Sequence, residues 1–216
     1  GEPRRIERRG AHAALHVLMP EETGEPLVNM VLDAAGQKGT GKWTVISASE
    51  LGVPLTLISE AVFARCLSAQ KEERVAAAPI LHGPKPELHG NPQAFVDDVE
   101  MALYASKIIS YAQGYALMDG MTHETGWTIN KGGVALMWRG GCIIRSAFLG
   151  KIKEAYDRDA ALTNLMLDPF FTAELERAQT SWRRVVAAAV LNGVPVPAMS
   201  SALSYFDGYR TARLPA

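Results

Sequence analysis

The sequence predicts an all-α fold. Apolar residues recur at the spacing of an α-helix from Pro26 onwards, and no segment alternates apolar and polar residues as a half-buried strand does. Prolines and glycines fall where one apolar stripe ends and the next begins, which is typical of helix boundaries. We therefore expect one helical domain over residues 25–216, preceded by an atypical N-terminal arm over residues 1–24.

The first two helices are expected on either side of a glycine-rich stretch. Pro26 suits a first helical position, and the apolar stripe after it ends at Gly36. A short helix over roughly 44–51 follows, with Thr44 as its candidate N-cap and Gly52 as its terminator.

The middle of the chain predicts two long helices separated by a loop. The first runs from Pro54 towards Pro79. Residues 82–92 are expected to form a loop because of their prolines and glycines, and the two histidines there have no cysteine or acidic set at metal-ligand spacing. Asn91 caps the next helix, expected over about 92–121. Small residues on it favour close approach of another helix: Ala105, Ser106, Ala112 and Gly114.

The last part of the chain predicts four more helices. They are expected around Val134–Arg139, Cys142–Tyr156, Phe170–Asn192 and 198–212. One set of apolar side chains on the third of them is expected to face the core: Trp182, Val185, Val186, Ala189 and Val190.

The composition excludes several classes of protein. A formal net charge of -1 offers no overall attraction to nucleic acid or to an anionic membrane. The longest uniformly apolar run, Val185–Leu191, is too short to span a bilayer. We therefore expect neither a nucleic-acid nor a membrane partner. Four arginines near the N-terminus are interpreted as a solvated terminus rather than a nucleic-acid arm: Arg4, Arg5, Arg8 and Arg9.

The two cysteines, Cys66 and Cys142, lie in apolar segments that are predicted to be helical. We interpret them as buried, reduced thiols, which predicts a cytoplasmic location. They do not make up a zinc ligand set, and no metal site is predicted.

The glycine-rich stretch between Gly36 and Lys42 is the best candidate for an anion site. Its glycines let backbone N–H groups approach a ligand, while Lys38 and Lys42 bring ammonium donors and Thr40 a hydroxyl. The nucleotide P-loop is disfavoured because Trp43 stands where a serine or threonine would bind magnesium. A plain glycine C-cap with solvated lysines is the alternative that stays open.

Arg65 is the second candidate for anion binding. It lies on a predicted helix among apolar neighbours, where a charge usually has an anionic partner. That partner is either a carboxylate such as Glu60 or the phosphate of a ligand.

Five blocks in register carry a resemblance to a known family. The sequence is similar to 6-phosphogluconate dehydrogenases in LDAAGQKGTGKWT (Leu32–Thr44), EAVFAR (Glu60–Arg65), KIISYAQG (Lys107–Gly114), WRGGCIIR (Trp138–Arg145) and NGVPVP (Asn192–Pro197). The resemblance covers about residues 21–216 and implies the helical C-terminal domain of that family. Residues 3–19 depart from it.

The resemblance implies an NADP-dependent enzyme of the pentose phosphate pathway that oxidises and decarboxylates 6-phosphogluconate to ribulose 5-phosphate. It also implies a homodimer for the full-length family member. The Gly-x-Gly-x-x-Gly fingerprint of a cofactor domain and the family's catalytic helix are not among the 216 residues. We therefore expect a fragment, truncated at both ends, that retains part of the substrate site and the dimer surface without activity of its own.

Carried over position by position, the resemblance assigns substrate binding to Lys38, Thr40 and Arg65, and no catalytic or cofactor-binding residue. Lys42 is a second choice. Arg139 and Arg145 are expected to pair between helices as structural residues. The alternative function is a non-catalytic helical module for dimerisation or phosphate binding.

Overall fold

The computed structural model describes residues 27–140, 142 and 144–215. Within these residues the chain forms helices and no strand, so the all-α prediction is confirmed. The predicted arm over 1–24 lies outside the described residues. The helices are α1 Leu27–Met30, α2 Thr40–Glu50, α3 Thr56–Ala69, α4 Lys71–Ala77, α5 Pro92–Thr125, α6 Lys131–Met137, α7 Leu149–Arg158, a 3-10 helix Leu165–Leu167, α8 Pro169–Leu191 and α9 Pro197–Tyr209.

The 34-residue helix α5 forms the centre of the domain. It begins where the side chain of Asn91 accepts hydrogen bonds from two backbone N–H groups, and it ends at Gly126, whose φ of 72° is left-handed. Helix α8 packs along α5, α9 packs on α3 and α5, and α6 packs on α7. The buried face of α5 combines small and aliphatic residues: Ala102, Ala105, Ser106, Ile108, Ile109 and Ala112.

The buried face of α8 matches the sequence prediction except at one residue. Trp182, Val185 and Ala189 are buried and Val186 is partly buried, but Val190 is 67% exposed. Val190 lies one position beyond the buried stripe, because a helix turns about 100° with each residue.

The prediction of buried cysteines is also wrong, since Cys66 and Cys142 are free but only partly buried.

The first predicted helix is much shorter than expected. Helix α1 stops at Met30, and the segment 31–39 is not helical. Its backbone is bound by side chains of α3 instead: the N–H of Ala35 donates to Ser68 Oγ, and the carbonyl of Gly36 accepts from Arg65. The next helix begins at Thr40, so Thr44 lies inside it and is not its cap.

Two other predicted helices also begin or end elsewhere. The helix expected from Pro54 towards Pro79 is divided at Gln70, whose ψ of 47° is not helical. The helix expected from Cys142 begins only at Leu149. The preceding segment lies against α5, because the hydroxyl of Tyr111 donates to the carbonyl of Ile144.

Acid is expected to remove part of the domain's stability through Asp207 on α9. Its carboxylate accepts hydrogen bonds from Arg183, which is the main cause of its lowered pKa, and from Arg210. Because the pKa of Asp207 is lower in the folded chain than in the unfolded chain, the pairing stabilises the fold above about pH 4 and is lost as the pH falls below it. In urea denaturation, Asp207→Asn should show a weaker loss of unfolding free energy below that pH. An unchanged pH dependence in this variant would contradict the expectation.

Candidate anion-binding site

The segment between α1 and α2 is held against α3 by hydrogen bonds to its backbone. The N–H of Ala35 lies 3.0 Å from Ser68 Oγ. The carbonyl of the next residue, Gly36, accepts from Nε of Arg65 at 3.0 Å and also from its Nη2. Two neighbouring residues of the segment are therefore tied to residues about thirty positions away.

A second set of contacts lies at Asp33. The carboxylate of Asp33 pairs with Lys71 and with Nη1 of Arg74 at 3.3 Å. Nη2 of Arg74 donates to the carbonyls of Asp33 (2.8 Å) and Ser68 (2.9 Å). The hydrogen bond from Lys71 is the main reason that the pKa of the Asp33 carboxyl lies below its ordinary value, and Arg74 lowers it further.

The glycine-rich turn leads directly into α2. Gly39 precedes the helix with a φ of 101°, a conformation that disfavours residues with a Cβ, and it has no side chain to cap the helix. The first backbone N–H groups of α2 therefore receive no side-chain cap from the residue before the helix. The side chains of Lys38 and Thr40 flank this point and are exposed. The turn thus combines free donors with a cationic side chain, which suits an oxyanion.

Among the described residues, Arg65 has no carboxylate partner of the kind that the sequence suggested as one alternative. Its side chain is exposed, so the cost of burying an unpaired charge does not arise. Its guanidinium is bound to the carbonyl of Gly36 and not to Glu60. This contact places Arg65 against the same turn that carries Lys38 and Thr40.

The other cations of the sequence prediction have different surroundings. Lys42 is exposed, and its Nζ lies 5.3 Å from the ring centre of Trp43. The pairing between helices that the sequence predicts for Arg139 and Arg145 is not found among the described residues, where no carboxylate lies within 4.0 Å of either. Both arginines are exposed.

A separate cavity of about 820 Å³ lies beside α5. Three of the four tryptophans line it, with Lys107 and Arg145 as the cations and no carboxylate among the lining residues. None of the predicted site residues Lys38, Thr40 and Arg65 lines this cavity. Sequence reasoning missed it because its tryptophans come from three distant segments: Trp43, Trp127 and Trp138.

Among residues 27–140, 142 and 144–215, no three His, Cys, Asp or Glu side chains are grouped so that they could hold a metal ion. In the same part of the chain no helix combines the length and the apolar character needed to cross a membrane.

Comparison with known proteins identifies the family. The profile of the family described as "6-phosphogluconate dehydrogenase, C-terminal domain" matches residues 12–216. The chain belongs to this family. The resemblance found in the five sequence blocks is thereby confirmed.

Curated 6-phosphogluconate dehydrogenases are close relatives. The decarboxylating 6-phosphogluconate dehydrogenase of Rattus norvegicus is 60% identical over 194 residues, which cover 89% of this chain and 40% of the relative. The Homo sapiens protein of the same name is 58% identical over 194 residues, with the same two coverages. The chain therefore spans about 40% of the length of the curated relatives it matches.

A solved structure from the same family has the same fold. Plasmodium falciparum 6-phosphogluconate dehydrogenase aligns with a TM-score of 0.83 and 38% identity, over 91% of this chain and 42% of that one. That protein is described in its apo form, in complex with its cofactor NADP+ and in complex with its substrate 6-phosphogluconate.

Proposed function

We propose that this chain is the helical, substrate-binding part of an NADP-dependent, decarboxylating 6-phosphogluconate dehydrogenase. We further propose that Lys38, Thr40 and Arg65 hold the phosphate of 6-phosphogluconate. The names of the relatives and the substrate of the Plasmodium protein support the choice of ligand. The single observation that carries the proposal is the bond from Arg65 to the carbonyl of Gly36, because it joins the guanidinium to the lysine-bearing turn.

The three side chains offer the donors that a phosphate needs. Lys38 supplies an ammonium group, Thr40 a hydroxyl and Arg65 a guanidinium, and charge-assisted hydrogen bonds to an oxyanion are stronger than neutral ones. Arg65 uses Nε and Nη2 on the carbonyl of Gly36, which leaves Nη1 for a phosphate oxygen. Arg65 can therefore hold the turn and the ligand together.

The reaction of the family needs more than this site. Oxidation of the substrate alcohol passes a hydride to NADP, and the β-keto acid that forms then loses carbon dioxide. The described residues do not fit NADP: none of them forms a strand followed by a Gly-x-Gly-x-x-Gly turn and a helix. We therefore assign substrate binding, and no step of hydride transfer, to this chain. The homodimer stays a prediction from the resemblance, and the cytoplasmic location stays a prediction from the cysteines.

The proposal is tested by calorimetric titration of the chain with 6-phosphogluconate and with gluconate, which lacks the phosphate. We expect the phosphorylated acid to bind more tightly, and Lys38→Ala to weaken its binding about tenfold, because one charge-assisted contact is lost. Lys85→Ala is the matched control, since Lys85 is exposed in the loop between α4 and α5. Equal affinity for the two acids, or equal effects of the two lysine variants, would contradict the proposal. The chain mixed with NADP and 6-phosphogluconate should form no NADPH.

A further inference from the structure

We propose that Arg74 and Ser68 are positioning residues, which hold the backbone of segment 33–36 so that Lys38 and Thr40 stay beside Arg65. The inference rests on the proposed function, because it concerns how the same phosphate site is kept in shape. Neither residue belongs to the set that is proposed to touch the ligand. Both act on the backbone that comes before the turn.

Arg74 joins three parts of the chain with one side chain. Its guanidinium donates to the carbonyl of Asp33, to the carboxylate of Asp33 and to the carbonyl of Ser68 at the end of α3. The break at Gln70 separates α3 from α4, the helix that carries Arg74. Nε of Arg74 is buried without a hydrogen-bond partner among the described residues. The hydrogen bonds of this guanidinium are all made by its other two nitrogens, and they connect α4 to segment 33–36 and to the end of α3.

Ser68 fixes the segment two residues further along. Its Oγ accepts the N–H of Ala35 at 3.0 Å and lies within hydrogen-bond distance of the carbonyls of Ala35 and Arg65. Its single proton serves one carbonyl at a time. Arg65 binds the carbonyl of Gly36. Residues of α3 therefore hold the backbone both before and after the Ala35–Gly36 peptide bond.

These contacts matter for the site because the turn itself is permissive. Gly36 and Gly39 flank Lys38, and glycine restricts the backbone less than any other residue. The position of the Lys38 ammonium therefore depends on how firmly the preceding residues are anchored. Without the anchor, ligand binding must also order the segment. The entropy cost of that ordering lowers the affinity for the ligand.

The chain offers a matched control for the charge of Arg74. Lys71 also pairs with the carboxylate of Asp33, but the described contacts give it no bond to the backbone of the segment. Lys71→Ala and Arg74→Ala each remove one positive charge near the site. Only Arg74→Ala removes the backbone bonds, so the comparison separates positioning from long-range attraction.

The test is calorimetric titration with 6-phosphogluconate, together with hydrogen exchange of the amides in residues 33–40. We expect Arg74→Ala to weaken binding about tenfold and to speed this exchange, whereas Lys71→Ala stays within about twofold of wild type. Ser68→Ala should speed the exchange and weaken binding about threefold, since it removes one anchor. Arg74→Lys should not restore binding, because one ammonium group does not reproduce the planar fork of donors.

Four results would overturn the inference in different ways. Equal weakening by Lys71→Ala and Arg74→Ala would mean that only charge matters. Unchanged exchange over residues 33–40 in Arg74→Ala would mean that the clamp does not hold the segment. An affinity of Arg74→Ala equal to that of wild type would overturn the positioning role alone. Failure of the wild-type chain to bind 6-phosphogluconate would overturn the proposed function and this role with it.

Discussion

Replacing Arg65 by alanine should weaken the binding of 6-phosphogluconate about 30-fold, the largest effect expected of any side chain at the proposed site. Arg65 has two tasks: it offers a charge-assisted contact to the phosphate, and it holds the carbonyl of Gly36. Alanine removes both at once. Calorimetric titration of wild type and Arg65→Ala under the same buffer measures the difference directly.

Two further variants make this prediction specific. Arg65→Lys keeps the charge and loses the fork of donors, so we expect its affinity to lie between those of wild type and Arg65→Ala. Arg177→Ala is the control, because Arg177 is half-exposed on α8 and its ion pair is with Glu174 on the same helix. Affinity in Arg65→Ala equal to that in Arg177→Ala would remove Arg65 from the site.

Trp182→Ala should lower the free energy of unfolding by about 4 kcal/mol, because truncating a fully buried aromatic residue leaves a cavity. Trp182 has no exposed surface, and its ring packs beside Phe206 on α9. Its indole N–H also donates to the carbonyl of Met199, 3.2 Å away. The variant thus loses packing and this hydrogen bond. Urea denaturation followed by circular dichroism measures the change.

A second tryptophan provides the control for this effect. Trp127 is 64% exposed, so Trp127→Ala should change the unfolding free energy by less than about 1 kcal/mol. Trp182→Phe keeps most of the volume and should fall between the two. If both alanine variants unfolded at the same urea concentration, the assignment of Trp182 to the core would be wrong.

The helices that the sequence predicted well are those with local start and stop signals. Helix α5 begins after Asn91, whose side chain caps it, and α8 ends at Leu191, next to the expected stop at Asn192. In both helices the signal and the structure that it fixes lie within a few residues. The predicted apolar stripe of α8 was wrong only at its solvent edge, at Val190.

The parts that were not predicted depend on contacts between distant residues. Helix α1 stops early because Arg65, Ser68 and Arg74 bind the backbone that would have continued it. No periodicity in residues 26–36 indicates those partners. For the same reason the substrate-binding role proposed for Lys38, Thr40 and Arg65 came from the family resemblance. Chemistry alone left open whether Arg65 paired with a carboxylate or a phosphate.

The most direct test of the proposed site is a crystal structure of the chain soaked with 6-phosphogluconate. We expect the phosphate within hydrogen-bond distance of Lys38 Nζ, Thr40 Oγ1 and the guanidinium of Arg65. A structure would contradict the account if it showed the ligand in the tryptophan-lined cavity beside Arg145 and no contact of the ligand with Lys38 or Arg65.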